Sequence, residues 1–126
     1  MPIVTLTVRK PKSNQFKSTV LDAVHAALVS SGVPSTDRFQ RVLELEKDDF
    51  RFDPGYPDLQ GNRTDDFALI EILWSAGRSV KVKKKLLGEL MASLAGAGLN
   101  PENVMVAFKE TTWENWSFGG GRLIHT

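Results

Sequence analysis

The sequence predicts an α/β (α+β) fold, in which two duplicated β-α-β units form a four-stranded mixed sheet with two helices on one face. Short β-branched segments alternate with longer segments of helical periodicity, in the order strand, helix, strand, loop, strand, helix, strand. The second half also repeats the apolar pattern of the first at an offset of 66 residues, which places Leu21 on Leu87 and Gly32 on Gly98. One register aligns strand, turn, helix and helix stop without a gap, as a duplicated unit would.

The first unit begins with a strand at 3–8, a short segment rich in β-branched side chains. A helix is expected over about 15–31, because apolar residues recur there at helical spacing. Ser13 or Asn14 precedes this helix as a candidate N-cap. A second strand, predicted at 38–46, completes the unit.

The second unit repeats this order further along the chain. An apolar strand is predicted at 67–74, followed by a turn in which Ser79 is a candidate N-cap. A helix is expected over about 80–96, where apolar residues again fall on one stripe. The last core strand is predicted at 104–108.

The length of 126 residues suits one compact domain, so we expect a single domain over 1–126. Its two repeats cover about 2–46 and 67–109. The polar stretch 47–65, punctuated by Pro and Gly, is predicted to be a loop or a short hairpin. The remaining segment, 110–126, is a C-terminal tail rich in aromatic residues and glycine.

The predicted sheet has one face that the two helices do not cover. The strand at 67–74 is apolar on both sides, which is typical of a strand that is buried on both faces. Because so small a chain has no further element for this second face, we expect a symmetric oligomer.

Composition excludes several classes of function. Sixteen Lys and Arg against fifteen Asp and Glu give a net charge of +1, which argues against a dedicated nucleic-acid or membrane-surface binder. The absence of cysteine excludes disulfides, Cys-ligated zinc, iron–sulfur clusters and thiol catalysis, and two histidines make a His-rich metal site unexpected. We therefore expect no metal site. The sequence also shows no signal peptide and no long apolar segment, which indicates a cytoplasmic protein.

Pro2 is the strongest candidate for a catalytic residue. A small second residue normally allows removal of the initiator Met, and the mature chain would then start with the secondary amine of Pro2. An α-amino group titrates near ~7.7–8.0, and apolar surroundings lower that value further. Such an amine is a base near neutral pH that needs neither histidine nor cysteine. Proline at position 2 is also common in ordinary proteins, so the residue alone leaves a structural role open.

Three segments resemble the tautomerase superfamily, and in particular its malonate semialdehyde decarboxylase-like branch. They are GVPSTDRFQ at 32–40, the arginine turn AGRS at 76–79, and the aromatic segment WENWSFG at 113–119. The segment LEKDDF at 45–50 is similar to uncharacterised tautomerase-like bacterial proteins. Pro2 before a strand and a duplicated unit of this length fit the same resemblance, which covers nearly the whole chain.

The resemblance implies a role for each of five residues. Pro2 would be the general base or acid, and Arg78 would bind and polarise a substrate carboxylate. Asp37 would act with the proline in hydration or decarboxylation. Trp116 and Phe118 would form the apolar wall that keeps the proline nitrogen desolvated. The resemblance also implies a cofactor-independent homotrimer that acts on small carboxylic acids.

Two departures from the family pattern leave the reaction open. Some decarboxylases carry two arginines in the turn, where this chain has Ala76 and Arg78, and the insert at 53–63 has no clear counterpart. The leading hypothesis is a tautomerase acting on small 2-oxo or 3-oxo acids. The alternatives are a decarboxylase or hydratase of malonate semialdehyde-like substrates, and a non-catalytic oligomeric binding protein. Lys12, the repeat partner of Arg78, is a candidate second contact for a carboxylate.

Overall fold

The computed structural model of the protein describes residues 1–123. Residues 124–126, the end of the predicted tail with His125, lie outside the described residues. The helices and strands follow the predicted order: β1 (Ile3–Arg9), α1 (Asn14–Ser30), β2 (Phe39–Leu45), β3 (Ala68–Ser75), α2 (Val80–Gly96) and β4 (Val104–Thr111).

The four strands form one mixed sheet in the order β2-β1-β3-β4. β1 and β2 are parallel, β3 and β4 are parallel, and β1 pairs with β3 in the antiparallel direction. The predicted fold class is therefore confirmed.

The internal repeat extends to individual hydrogen bonds. The N-cap Ser13 accepts from the backbone N–H of Phe16, and Ser79 accepts in the same way from that of Val82, its counterpart at the offset of 66. In the sheet, Ile3 is paired with Phe39, and residues 69 and 105, their counterparts, are paired in the same way. The offset predicted from the sequence therefore holds in three dimensions.

The two repeats are related by an approximate two-fold axis through the centre of the sheet. Thr5 pairs with its own counterpart, Glu71, at the middle of the β1–β3 ladder. Because β1 and β3 run in opposite directions, residue pairs at equal distances on either side of this central pair are equivalent. Each feature at one end of the sheet consequently has a counterpart at the other end.

The core lies between the sheet and the two helices, which pack against each other on one face. Three positions of the apolar stripe are buried in both helices, because the repeat preserves the helical spacing, and α1 buries Ala27 in addition. The fully or almost fully buried side chains include Val4, Leu6, Val8, Val20, Val24, Leu28, Ile70, Ile72, Trp74, Leu86, Leu90 and Leu94.

The other face of the sheet carries large apolar side chains that are about half exposed in the single chain. Phe39 is 52% exposed, Leu43 is 43% exposed and Met105 is 44% exposed. All three alternate along their strands with residues that pack on the helices or the core, so they point away from the helices. We call this surface the open face.

Two features differ from the sequence prediction by more than one residue at the end of an element. β4 continues to Thr111, two residues into the predicted tail, because its end pairs with the end of β3 at Ser75. Residues 47–65 contain a 3-10 turn at Lys47–Asp49 and no strand, so this segment is a loop and not a hairpin. None of the helices within residues 1–123 combines the length and apolar character needed to cross a membrane.

Candidate active site

Strand pairing brings four chain segments to one end of the sheet. β1 and β2 both start there, and β3 and β4 both finish there, because β1 runs antiparallel to β3. This end, which we call the proline end, therefore receives Pro2, the turn before β2, the arginine turn after β3 and the tail after β4. We call the opposite end the loop end.

Pro2 is buried at the proline end, beside a cavity of about 190 Å³. The tail supplies one wall of this proline cavity, where the indole of Trp116 stacks on the ring of Phe118 at 5.8 Å between centroids. Trp116 is itself buried. The residues that line the cavity are Met1, Pro2, Ile3, Phe39, Trp116, Ser117 and Phe118.

Asp37 lies next to the start of the chain. Its side chain is buried, and Oδ2 is 3.5 Å from the terminal amine of Met1. Its Oδ1 is buried without a hydrogen-bond partner. The backbone N–H of Asp37 donates to the carbonyl of Pro34 at 3.0 Å, which fixes the turn before β2. The turn thus places a carboxylate with one unused oxygen beside the first two residues.

Arg78 lies in the turn between β3 and α2 at the same end of the sheet. Its guanidinium carbon is 4.3 Å from the ring centroid of Trp74, and its Nη1 donates to the carbonyl of Ser75 at 2.8 Å. No carboxylate within residues 1–123 forms an ion pair with it. Arg78 is half-buried and does not line the proline cavity. Its remaining N–H donors are available to an anion that approaches this end.

Buried polar atoms without partners cluster at the proline end. Beside the Asp37 oxygen, they are Trp74 Nε1, Ser75 Oγ and Trp116 Nε1. A buried donor without a partner is costly, and a bound oxygen atom would satisfy it. No sequence motif singles out Trp74 or Ser75 as a candidate for the site. The signal that points to Ser75 is its position as the last residue of a buried strand, directly before the arginine turn.

Lys12 does not join this group. It lies at the loop end, where its Nζ is 3.5 Å from Asp66 Oδ1 and donates to the carbonyl of Arg9 at 3.0 Å. The suggestion that Lys12 is a second contact beside Arg78 is therefore wrong within one chain. Among the described residues, no group of three or more His, Cys, Asp or Glu side chains could hold a metal ion.

Comparison with known proteins identifies relatives of the whole chain. A family model described as "Tautomerase enzyme" matches residues 37–119. The protein named "Probable tautomerase YusQ", from Bacillus subtilis (strain 168), is 30% identical over 124 residues, which cover 97% of this chain and 96% of that protein.

Solved structures share the same architecture. The crystal structure of FG41 malonate semialdehyde decarboxylase inhibited by 3-bromopropiolate has a TM-score of 0.86 and 27% identity, and covers 96% of this chain and 92% of that one. A wild-type fused 4-OT, described as a symmetric trimer, has a TM-score of 0.70 at 20% identity, with 96% and 94% of the two chains covered. The second likeness concerns the fold alone.

Proposed function

This chain belongs to the tautomerase family, and we propose that it is a cofactor-free tautomerase that uses Pro2 as general base and acid on small 2-oxo or 3-oxo carboxylic acids. The observation that carries the proposal is the position of Pro2, which is buried beside an aromatic cavity and follows Met1, whose terminal amine lies 3.5 Å from the buried carboxylate of Asp37. Removal of Met1 would turn the Pro2 nitrogen from an amide into a secondary amine at this place.

The Pro2 amine would move one proton between two atoms of the substrate. In its neutral form it takes a proton from the carbon next to a carbonyl, or from the hydroxyl of the enol, and returns it to the other atom. The aromatic wall of Trp116 and Phe118 supports this role, because apolar surroundings disfavour the protonated amine.

Arg78 would hold the substrate carboxylate and stabilise the enolate charge. Its guanidinium has no carboxylate partner within residues 1–123, and its carbon lies 4.3 Å from the centroid of the Trp74 ring. A cation close to the developing charge of a transition state lowers the barrier by electrostatic stabilisation. The unpartnered Nε1 of Trp116 and Oγ of Ser75 are further donors at the same end of the sheet.

Asp37 favours a second candidate function, decarboxylation or hydration of a malonate semialdehyde-like acid. Asp37 Oδ2 lies 3.5 Å from the terminal amine of Met1, and a carboxylate near the chain start would favour the protonated form of the Pro2 amine, which opposes the effect of the aromatic wall. In decarboxylation the bond between the carboxylate and the α-carbon breaks, carbon dioxide leaves, and the resulting enolate takes the proton from the Pro2 ammonium. The likeness to the FG41 decarboxylase supports this candidate.

A third possibility is a non-catalytic binding protein with the same cavity. Retention of Met1 in the mature protein would favour this possibility, because the Pro2 nitrogen would remain an amide and could not accept a proton.

We also propose that the protein assembles as a homotrimer. The half-exposed apolar side chains of the open face support self-association, and the fused 4-OT of similar fold is a symmetric trimer. A cytoplasmic location and the absence of nucleic-acid and membrane partners remain predictions of the sequence.

The test is a pH–rate profile for ketonisation of phenylenolpyruvate by the wild type and Pro2→Ala, after intact mass has shown that Met1 is absent from both. We expect a rate that falls on the acid side as the amine is protonated. Pro2→Ala should lose about 10²-fold, because it replaces the secondary amine that the proline ring holds in place with a more mobile primary amine.

Equal rates for the two proteins would overturn the proline mechanism for this substrate. Decarboxylation of malonate semialdehyde by the same two proteins then tests the second candidate. If that reaction is also unaffected by Pro2→Ala, the binding protein becomes the better description.

A further inference from the structure

The proline cavity has a counterpart at the loop end of the sheet. A second cavity, of about 300 Å³, is found there. Six of the seven residues that line the proline cavity have their counterparts, 66 positions away, in the lining of this loop-end cavity: Phe50, Arg51, Phe52, Phe67, Leu69 and Met105. The approximate two-fold axis of the sheet therefore relates the two cavities, although the sequence in them has diverged.

The loop-end cavity lacks the groups that the proposed chemistry requires. Pro2 corresponds to Ala68, an internal residue with no free amine. Asp37 corresponds to Asn103, whose side chain is used by the chain itself: Oδ1 accepts from Thr64 N at 2.8 Å, and Nδ2 donates to Thr64 Oγ1 at 2.9 Å. The loop-end cavity is therefore unsuited to proline-type catalysis.

The insert contributes to the lining of the loop-end cavity. Residues Asp53, Tyr56, Pro57 and Arg63 extend this lining beyond the repeated part. They belong to the segment that the family resemblance leaves without a counterpart. A cavity that is larger than the proline cavity and lacks its candidate catalytic groups is better suited to binding than to reaction.

Three phenylalanine rings form the apolar part of the loop-end cavity. The ring centroid of Phe52 is 4.4 Å from that of Phe67, and the centroid of Phe50 is 5.6 Å from that of Phe67. The guanidinium of Arg9 lies 4.2 Å from the centroid of Phe52 and holds that ring in place. Packed rings of this kind suit a flat apolar group.

The polar part of the loop-end cavity carries positive charge. Arg63 lies 5.1 Å from the Phe67 ring centroid, and its Nη1 donates to the carbonyls of Asp53, at 2.8 Å, and Tyr56. Its Nε is buried without a partner. Within residues 1–123, neither Arg63 nor Arg51 forms an ion pair with a carboxylate. The cavity lining therefore carries two guanidinium groups and one carboxylate, that of Asp53. This excess of positive charge favours an anionic ligand.

We propose that the loop-end cavity is a second, non-catalytic ligand site, which takes a small carboxylate with an aromatic or similarly flat apolar body. The rings of Phe50, Phe52 and Phe67 receive the apolar body, and Arg63 receives the carboxylate. Ligand binding at this site depends on no step of the proposed reaction. It can therefore be tested independently of the function of Pro2.

The sole tyrosine of the chain allows a direct test, because Tyr56 lines this cavity and no tyrosine lines the proline cavity. Full-length protein labelled with 3-fluorotyrosine gives one ¹⁹F resonance from Tyr56, which is followed while 3-phenylpropanoate is added. We expect a saturable shift in the wild type, and binding weaker by about tenfold or more for Arg63→Gln and for the uncharged 3-phenylpropanamide.

Two further variants separate the sites and guard against loss of folding. Phe118→Ala alters the proline cavity and should leave the ligand-induced shift of the Tyr56 resonance unchanged. Phe52→Ala, at the counterpart position in the loop-end cavity, should weaken binding of 3-phenylpropanoate. Arg51 is exposed, so Arg51→Gln keeps the fold and reduces affinity even if Arg63→Gln unfolds the loop. A resonance that does not move, a shift that grows without saturation, or equal binding of the acid and the amide would each overturn the proposal.

Discussion

The guanidinium of Arg78 depends on its immediate surroundings for its proposed role. The Trp74 ring lies on one side of it, the Ser75 carbonyl accepts from one of its nitrogens, and no carboxylate of residues 1–123 neutralises it. Its repeat counterpart Lys12 has the opposite surroundings, since it contacts Asp66 and two backbone carbonyls. Of these two equivalent positions, Arg78 thus carries a charge that is available to a ligand, whereas the charge of Lys12 is neutralised within the chain.

This difference predicts unequal effects of removing the two charges. Arg78→Gln should lower kcat/KM for ketonisation of phenylenolpyruvate by about 10²–10³-fold, the usual cost of removing a group that stabilises an oxyanion. Steady-state kinetics at neutral pH measures the loss. Lys12→Gln is the matched control and should stay within about threefold of the wild type. Similar losses in both variants would contradict the assignment of Arg78.

At the scale of elements, Glu44 of β2 connects the sheet to the start of α1. Its carboxylate is 2.6 Å from Lys17 Nζ and accepts from the backbone N–H of Lys12 at 3.0 Å. The hydrogen bond from Lys17, followed by that from the Lys12 backbone, lowers the pKa of Glu44 below its ordinary value of 4.5. A pKa that is lower in the folded state means that the unfolded state binds the proton more readily.

This direction predicts how stability should depend on pH. The contribution of Glu44 is fully present above the unfolded pKa of 4.5 and is lost as the pH falls through the lower folded value. Glu44→Gln should therefore lower Tm at pH 7 and have a much smaller effect near pH 3, as measured by differential scanning calorimetry. Glu89→Gln, which removes a surface pair with Lys85 within one helix, should change Tm little at either pH. A Tm difference for Glu44→Gln that stays constant with pH would refute the argument.

At the scale of the whole molecule, the sheet is covered by helices on one face and carries half-exposed Phe39, Leu43 and Met105 on the other. Burial of apolar surface contributes about 25 cal/mol per Å² removed from water, so association through this face would be favourable. The two-fold relation within the chain also means that both ends of the sheet present similar apolar positions to a neighbouring subunit.

The open face predicts the outcome of a charge substitution. Size-exclusion chromatography with light scattering should give three times the 14.0 kDa chain mass for the wild type and a lower mass for Leu43→Arg, because a buried unpaired charge opposes association. Val80→Arg, at an exposed position of α2, should leave the mass unchanged. A wild type that elutes as a monomer, or a trimer that survives Leu43→Arg, would count against assembly through this face.

The elements and their repetition can be predicted from the amino-acid sequence. The apolar stripes of α1 and α2, the caps at Ser13 and Ser79 and the offset of 66 are all readable within short windows, because helical period and capping depend on neighbouring residues. The fold class and the family resemblance followed from the same local patterns. The roles of Pro2 and Asp37 were expectations from that resemblance and remain proposals.

Which of these residues lie together depends on the fold of the whole chain. Pairing of β1 with β2 places the chain start next to Asp37. The antiparallel direction of β3 places Arg78 at the same end of the sheet, whereas Lys12 lies at the opposite end. The extra residues of β4, the pairing of Lys12 with Asp66 and the loop-end cavity likewise depend on contacts between distant parts of the chain. Sequence spacing contains little information about such contacts, because they are fixed by strand register and packing and not by local propensity.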